Sequence, residues 1–420
     1  MMAKSNNRKQ RKFNTKEMNM SDLQKIVRKY DDELDGIIQR MIQIRSYSGE
    51  EKKIVEFIQS KMREFGFDEV FTDSLGSIVG RIGNGPIKIM FDAHIDTVQV
   101  TENENWTYPP FEGKIVDGVL YGRGSVDEKP AMAGYLIAGR AIKELYKDEP
   151  LPFTLYVVGS VMEEECDGYP LLHLIEKDGI HPDFVLLGEP TDMRIYRGQR
   201  GRMEVEIATH GKSAHGAHNQ HGINAIYKMA KIVDQIEKLD QILPPVEPLG
   251  KGSITVSDIS SKGPSLCSVP DYCRIHIDRR MTVNENKETV LNELREIAQK
   301  LNIEADIEIP RYRGKSWKGT EFEQEAYFPT WILDTEHPLI QAAVETSKLV
   351  LNGKAEVGVW SFSTNGVATA GRLGIPSFGF APGKEELSHS DREELPLEDL
   401  HKAAEFYAVF PFKLSAEAAK

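Results

Sequence analysis

With 420 residues, 40% of them hydrophobic and 28% charged, the chain can bury a large core and by its length divides into two or three domains. No apolar run is long enough to span a bilayer, so a soluble protein is expected. Against 52 Lys and Arg stand 65 Asp and Glu. The net charge of −13 argues against nucleic acid or an anionic membrane as partner, and it suits a protein that gathers carboxylates around cations. Cys166, Cys267 and Cys273 are too few and too unevenly spaced for a disulfide framework or a cysteine zinc site, which points to a reducing, cytoplasmic compartment.

Residues 1–20 are basic and polar, lack the apolar stretch of a secretory signal, and are expected to form a disordered tail. An amphipathic pattern through Leu23, Val27, Leu34, Ile38 and Met41 predicts a helix over 21–43. Ser48, three residues before Glu51, reads as a capping box that opens a second helix running to about Phe65. Strands follow at EVFTD, SIVGRIG and KIMFDAH with glycine-containing turns between them, and the alternation of helix and strand favours an α/β layer fold.

The run IMFDAHIDTV ends in His94 and Asp96, and residues two apart on a strand share a face. Both side chains can therefore look into the cleft that open α/β sheets form at the carboxyl ends of their strands, although such a pair also fits a plain polar strand end. Asp127 stands just ahead of a small-residue helix that begins near Pro130, either as its cap or as a carboxylate offered to a ligand. The strand FTLYVVGSV runs into Glu163, Glu164 and Glu165. Three adjacent acids at the end of an apolar strand repel one another unless a cation holds them. Glu189, in GEPT, is another acid at a strand exit. All of these fall at one expected edge of one sheet.

At about residue 200 the pattern changes. The order strand, helix, strand, strand, helix, strand between roughly 200 and 313 is the split βαβ arrangement of a small ferredoxin-like domain. The α/β reading resumes past Trp317, and His389 lies in a loop ahead of the C-terminal helix.

The segments DAHIDTV, YGRGSVDEKPAMAG, VMEEE, GEPT and ELSHSDRE, in this order, resemble the M20 metallopeptidase family, which includes acetylornithine deacetylase, succinyl-diaminopimelate desuccinylase and carboxypeptidase G2. The resemblance runs from about residue 30 to 415. It implies an α/β fold in which a mixed-sheet, zinc-peptidase-like catalytic domain, 21–199 and 314–420, carries an inserted ferredoxin-like α+β dimerisation or lid domain, 200–313. It further implies a homodimer. By position, His94 and Glu189 would be ligands of one metal, Glu164 and His389 of the other, with Asp127 bridging, Asp96 supporting His94 and Glu163 acting as general base. A cis peptide at Asp127–Glu128 is implied as well.

Where the family usually has Asp-Glu-Glu, this chain has Met162-Glu163-Glu164-Glu165. Strand length and the distance to GEPT favour Glu163 and Glu164 as base and ligand; the frame Glu164 and Glu165 is the alternative. The segment ATHGKSAHGAHNQHGINAI is similar to the family's dimerisation signature, so His215 would reach the partner subunit's site and help hold the oxyanion. Arg280 would meet a substrate carboxylate, and Asn365 in SFSTNG is a candidate for lining the substrate pocket. Two divalent ions are implied, zinc first, with cobalt and manganese fitting the same donors. The implied activity is hydrolysis of an amide bond in a small N-acyl amino acid. A dipeptidase or aminopeptidase at the same metals, and a catalytically silent metal-binding interaction protein, are the alternatives.

Overall fold

The computed structural model describes residues 20–101, 105–147 and 149–418, so the expected N-terminal tail lies outside the described residues apart from Met20. A nine-stranded mixed sheet forms the main body. Its strands run in the order Glu69–Thr72, Ile78–Ile82, Phe153–Ser160, Ile87–His94, Phe184–Leu187, Ser377–Gly379, Ile195–Gln199 and Trp331–Ile332, and Val357–Trp360 also pairs with Ile195–Gln199. The four central strands, Phe153–Ser160 to Ser377–Gly379, are mutually parallel, so their carboxyl ends open on one edge.

These central strands are apolar on both faces because both faces are covered. Phe91 packs with Tyr135 and Tyr407 from the helices Lys129–Leu145 and Leu397–Ala418, whereas its neighbour Met90 joins Leu171, Leu174 and Trp360 on the opposite side. The small residues of the Lys129–Leu145 helix permit close approach: a Cβ on Gly134 would lie 2.8 Å from the Tyr407 ring. That close approach packs the helix that follows Asp127 against the Leu397–Ala418 helix.

A second, antiparallel sheet runs Ser253–Lys262, Tyr272–Met281, Gly201–His210, Ala305–Glu308. Together with the helices Ala225–Ile242 and Lys287–Lys300 it makes the ferredoxin-like arrangement, around a core of its own that includes Val205, Ile207, Met229, Ile232, Ile275 and Leu294. Buried and half-buried positions alternate strictly along Tyr272–Met281, the period of a strand with one face on a core. Tyr327–Phe328 adds a further pairing with Gly201–His210, so this sheet also draws on chain beyond residue 313.

Two local expectations fail. The helix expected over 21–43 is two helices, Met20–Arg28 and Asp31–Gln43, because Arg28 reaches Glu405 while Lys29 and Tyr30 reach Glu144, and these contacts turn the chain without breaking its apolar periodicity. The helix after Ser48 begins at Lys52 without a side-chain cap bond, and Ser48 Oγ donates instead to Asp96 Oδ2 at 2.7 Å. The polar segment after residue 104 contains the hairpin Lys114–Val116 and Val119–Tyr121, which Glu394–Pro396 joins as a third strand. No helix among the described residues is long and apolar enough to cross a membrane.

Candidate metal and catalytic site

His94 ends a central parallel strand, Asp127 closes the turn before the Lys129–Leu145 helix, Glu163 and Glu164 follow Phe153–Ser160, and Glu189 follows Phe184–Leu187. His389 arrives from the loop ahead of Glu394–Pro396. Parallel alignment of the strands brings these five elements to one edge. His94 Nε2 lies 2.8 Å from Asp127 Oδ1 and 3.9 Å from Glu189 Oε1. His389 Nε2 lies 3.2 Å from Asp127 Oδ2 and 2.9 Å from Glu164 Oε2. The two oxygens of Asp127 thus face different imidazoles. Ligand atoms of His94, Asp127 and Glu164 lie within 4.8 Å of one another, and so do those of His94, Glu128 and Glu189. Asp127 does not cap the helix, whose capping position is Glu128 with no side-chain cap bond.

The supports are partly those expected. His94 Nδ1 lies 3.1 Å from the Asp96 carbonyl and 3.6 Å from its carboxylate, so the backbone of Asp96 is the nearer partner. Glu128, which the sequence reading passed over, is buried and accepts the backbone N–H of His94. Its position next to Asp127 was the available signal. The Asp127–Glu128 peptide is cis.

The site crowds carboxylates where water cannot reach them. Burial and the charge of Glu189 push Glu163 well above the ordinary carboxyl value, and burial and Glu128 do the same to Glu189. Burial also opposes ionisation of Asp127, but hydrogen bonds from His389 and His94 outweigh it and hold that carboxyl below the usual range. Those to Asp127 and Glu164 raise His389 to about 11. Glu163 Oε1 and Glu128 Oε2 are buried without a hydrogen-bond partner. A mixed imidazole and carboxylate donor set, mutually repelling acids and buried oxygens left unpaired fit divalent cations.

The cleft over this edge has a volume of about 720 Å³. Besides the groups above, Arg280, Arg202, Tyr196, Phe362 and Lys384 line it. Arg280 keeps a two-point contact with Asp278, at 2.8 and 3.1 Å. Two of the candidate residues lie off the lining of this chain's own cleft. Asn365 is buried behind it, its amide committed to Asp92 and Ser160 as donor and to Gly168 N as acceptor, so it does not line the pocket. His215 is exposed in the second unit and lies off the lining, its Nδ1 accepting Ala217 N at 3.1 Å. Glu165 is exposed and also off the lining.

A family model described as peptidase family M20/M25/M40 matches residues 90–412. The chain belongs to this family. Among M20 relatives, the Escherichia coli K12 protein YgeY, itself uncharacterized, is 41% identical over 382 residues, covering 91% of this chain and 94% of its own. A succinyl-diaminopimelate desuccinylase of Corynebacterium glutamicum is 25% identical over 376 residues, 88% of this chain and 93% of that protein. The solved structure of Bacillus subtilis YXEP, described as a dinuclear metal binding peptidase of the M20 family, superposes with a TM-score of 0.67 at 14% identity, over 91% of this chain and 98% of that one.

This M20 chain is therefore a hydrolase with a mixed α/β body and an inserted α+β unit. The turn that carries its acids has Met162 at a φ of 64°, with Glu163 and Glu164 following at the cleft.

Proposed function

We propose that this M20 protein hydrolyses the amide bond of a small N-acyl amino acid or a related amide, using two divalent metal ions. The observation that carries the reading is Asp127 held between two imidazoles, with the buried Glu163 carboxylate beside them at the cleft. His94 and Glu189 would hold one ion and Glu164 and His389 the other, with Asp127 common to both. Zinc suits this donor set first, and cobalt and manganese also fit it. When bound, such ions supply Lewis acidity that makes a water nucleophilic at neutral pH and stabilises the carbonyl oxyanion.

Glu163 takes the proton from the attacking water and delivers it to the departing amine. Its carboxyl is held upward by burial and by the charge of Glu189, a repulsion that bound cations would relieve. Arg280, held through Nε and Nη2 by Asp278, meets a substrate carboxylate through the remaining N–H groups of its guanidinium. His215 serves the site of a second copy. The strand Ser253–Lys262 is an open edge with Ile259 55% exposed, and Tyr227 and Ile242 on the adjoining helix are 71% and 75% exposed, a surface suited to a homodimer. The free cysteines fit a cytoplasmic setting.

The name of the Corynebacterium relative supports deacylation. Structures of the same fold that are described as dipeptidases support a second reading, cleavage of a dipeptide at the same ions. A metal-supplemented hydrolysis screen over acylated amino acids, dipeptides and ureido compounds, with Glu163→Gln as the blank, tests both. A class of compounds cleaved only by the wild type is expected. Equal behaviour of the two proteins on every compound overturns the proposal.

A further inference from the structure

Ser46–Glu51, the segment SYSGEE, lies against the back of the site. Ser46 Oγ donates to Ile95 O at 2.7 Å and Thr97 N donates to Ser46 O at 2.9 Å, which fastens the segment to the chain just beyond His94. From there its side chains reach the turn that carries the acids. Three successive backbone N–H groups of that turn are each held by a buried carboxylate. Met162 N donates to Glu51 Oε1 at 3.0 Å, and Glu163 N and Glu164 N donate to Asp96 Oδ1 and Oδ2, each at 3.2 Å. Ser48 Oγ holds Asp96 Oδ2 at 2.7 Å, and Glu51 Oε1 also accepts Gly49 N at 2.9 Å.

Glu51 is completely buried, pairs with no Lys, Arg or His among the described residues, and leaves Oε2 without a hydrogen-bond partner. Burying an unpaired carboxylate costs stability, so its presence is explained by what it grips rather than by packing. It does not cap the helix that it precedes. What it grips is Met162, whose left-handed backbone is unusual for a long side chain and needs its surroundings to fix it. The direction of the next two side chains, Glu163 and Glu164, follows from that backbone.

We propose that Glu51, assisted by Ser48, is a positioning residue for the hydrolysis, holding the Met162–Glu164 turn so that Glu163 meets the attacking water and Glu164 meets its metal ion. The inference rests on the reading of Glu163 as general base. A displacement of about 1 Å in such a group costs on the order of 100-fold in rate, so the effect belongs in kcat rather than in substrate binding.

The test compares kcat, KM, bound metal and thermal midpoint for wild type, Glu51→Gln, Glu51→Ala, Ser48→Ala and Glu163→Gln, on a substrate found by the screen. Glu51→Ala is expected to lose about 100-fold in kcat with KM within about twofold. Glu51→Gln keeps an oxygen for the N–H groups of Gly49 and Met162, and it should return kcat to within about tenfold of wild type. Ser48→Ala, a small change at a half-buried position, should lose about fivefold in kcat and none in folding. A folded Glu51→Ala with wild-type kcat, or equal losses in Glu51→Ala and Glu51→Gln, overturns the inference. If Glu51→Ala does not fold, wild-type kcat in Ser48→Ala overturns it. An active Glu163→Gln would instead overturn the assignment of the base, which separates the two failures.

Discussion

The carboxylate of Glu393 meets the guanidinium of Arg123 across 270 positions of chain, in a buried pair. Glu393 also accepts the N–H groups of Gly124 and Val126, at 2.8 and 3.2 Å, and Arg123 donates to Ser390 O at 3.1 Å. The loop that bears His389 is thereby tied to the loop that bears Asp127. Removing one partner leaves a charge buried without its mate, so Arg123→Met should destabilise the fold by about 3–5 kcal/mol in urea unfolding. The same protein should bind metal more weakly, as measured by elemental analysis after dialysis.

Removal of metal should act on stability as well as activity. Glu163, Glu164 and Glu189 crowd one edge, and burial, with the charge of Glu189 on Glu163, of Asp127 on Glu164 and of Glu128 on Glu189, pushes all three upward. Chelation should lower the thermal midpoint, and added zinc, cobalt or manganese should restore it, because an ion that binds only the native state stabilises that state by mass action. The Glu189→Gln protein should show a smaller rise on metal addition than the wild type.

The exposed edge and His215 make a prediction about two copies. Ile259→Asp, at the open edge of Ser253–Lys262, should shift the protein toward monomer in size-exclusion chromatography without unfolding it. If His215 serves the partner's site, a mixture of inactive His215→Ala and Glu163→Gln chains that exchange subunits should regain part of the wild-type rate. No recovery after verified exchange would count against a shared site.

Asp73 gives a pH test on a carboxyl outside the candidate ligand set. Its Oδ1 accepts Gly76 N and Ser77 N, at 2.5 and 2.7 Å, its Oδ2 is unpartnered, and burial pushes its carboxyl from 3.8 up to about 6. With the native value the higher one, the native state holds its proton longer than the unfolded chain. Stability is therefore lost as pH rises from about 4 to 6 and stays lost above. Asp73→Asn keeps the accepting oxygen, so its advantage over wild type should grow across that window to on the order of 2 kcal/mol, read by urea unfolding at each pH.

The convergence of His94, Asp127, Glu164, Glu189 and His389 on one edge was legible for four of them because each ends, follows or precedes a recognisable element. An apolar run closing in His94, acids after Phe153–Ser160 and Phe184–Leu187, and Asp127 before a small-residue helix are local patterns. Arg280, which the family resemblance singled out, lines the same cleft. The inward position of Asn365 was not legible, because nothing adjacent to it in sequence shows that Asp92, Ser160 and Gly168 absorb its amide. The two-helix start and the role of Ser48 were misread likewise, since Glu405, Glu144 and Asp96 are their distant partners.

The sequence by itself determined the α/β alternation, the ferredoxin-like insertion and the residue types able to ligate a metal, since these depend on periodicity and on chemistry within a few positions. Only the tertiary structure decided that Asp127 stands between His94 and His389, that Glu51 grips Met162 from 111 positions away, and that Asn365 faces inward. Those relations depend on how strands stack and loops close, and a hydrogen bond between distant segments leaves no periodic trace in either of them.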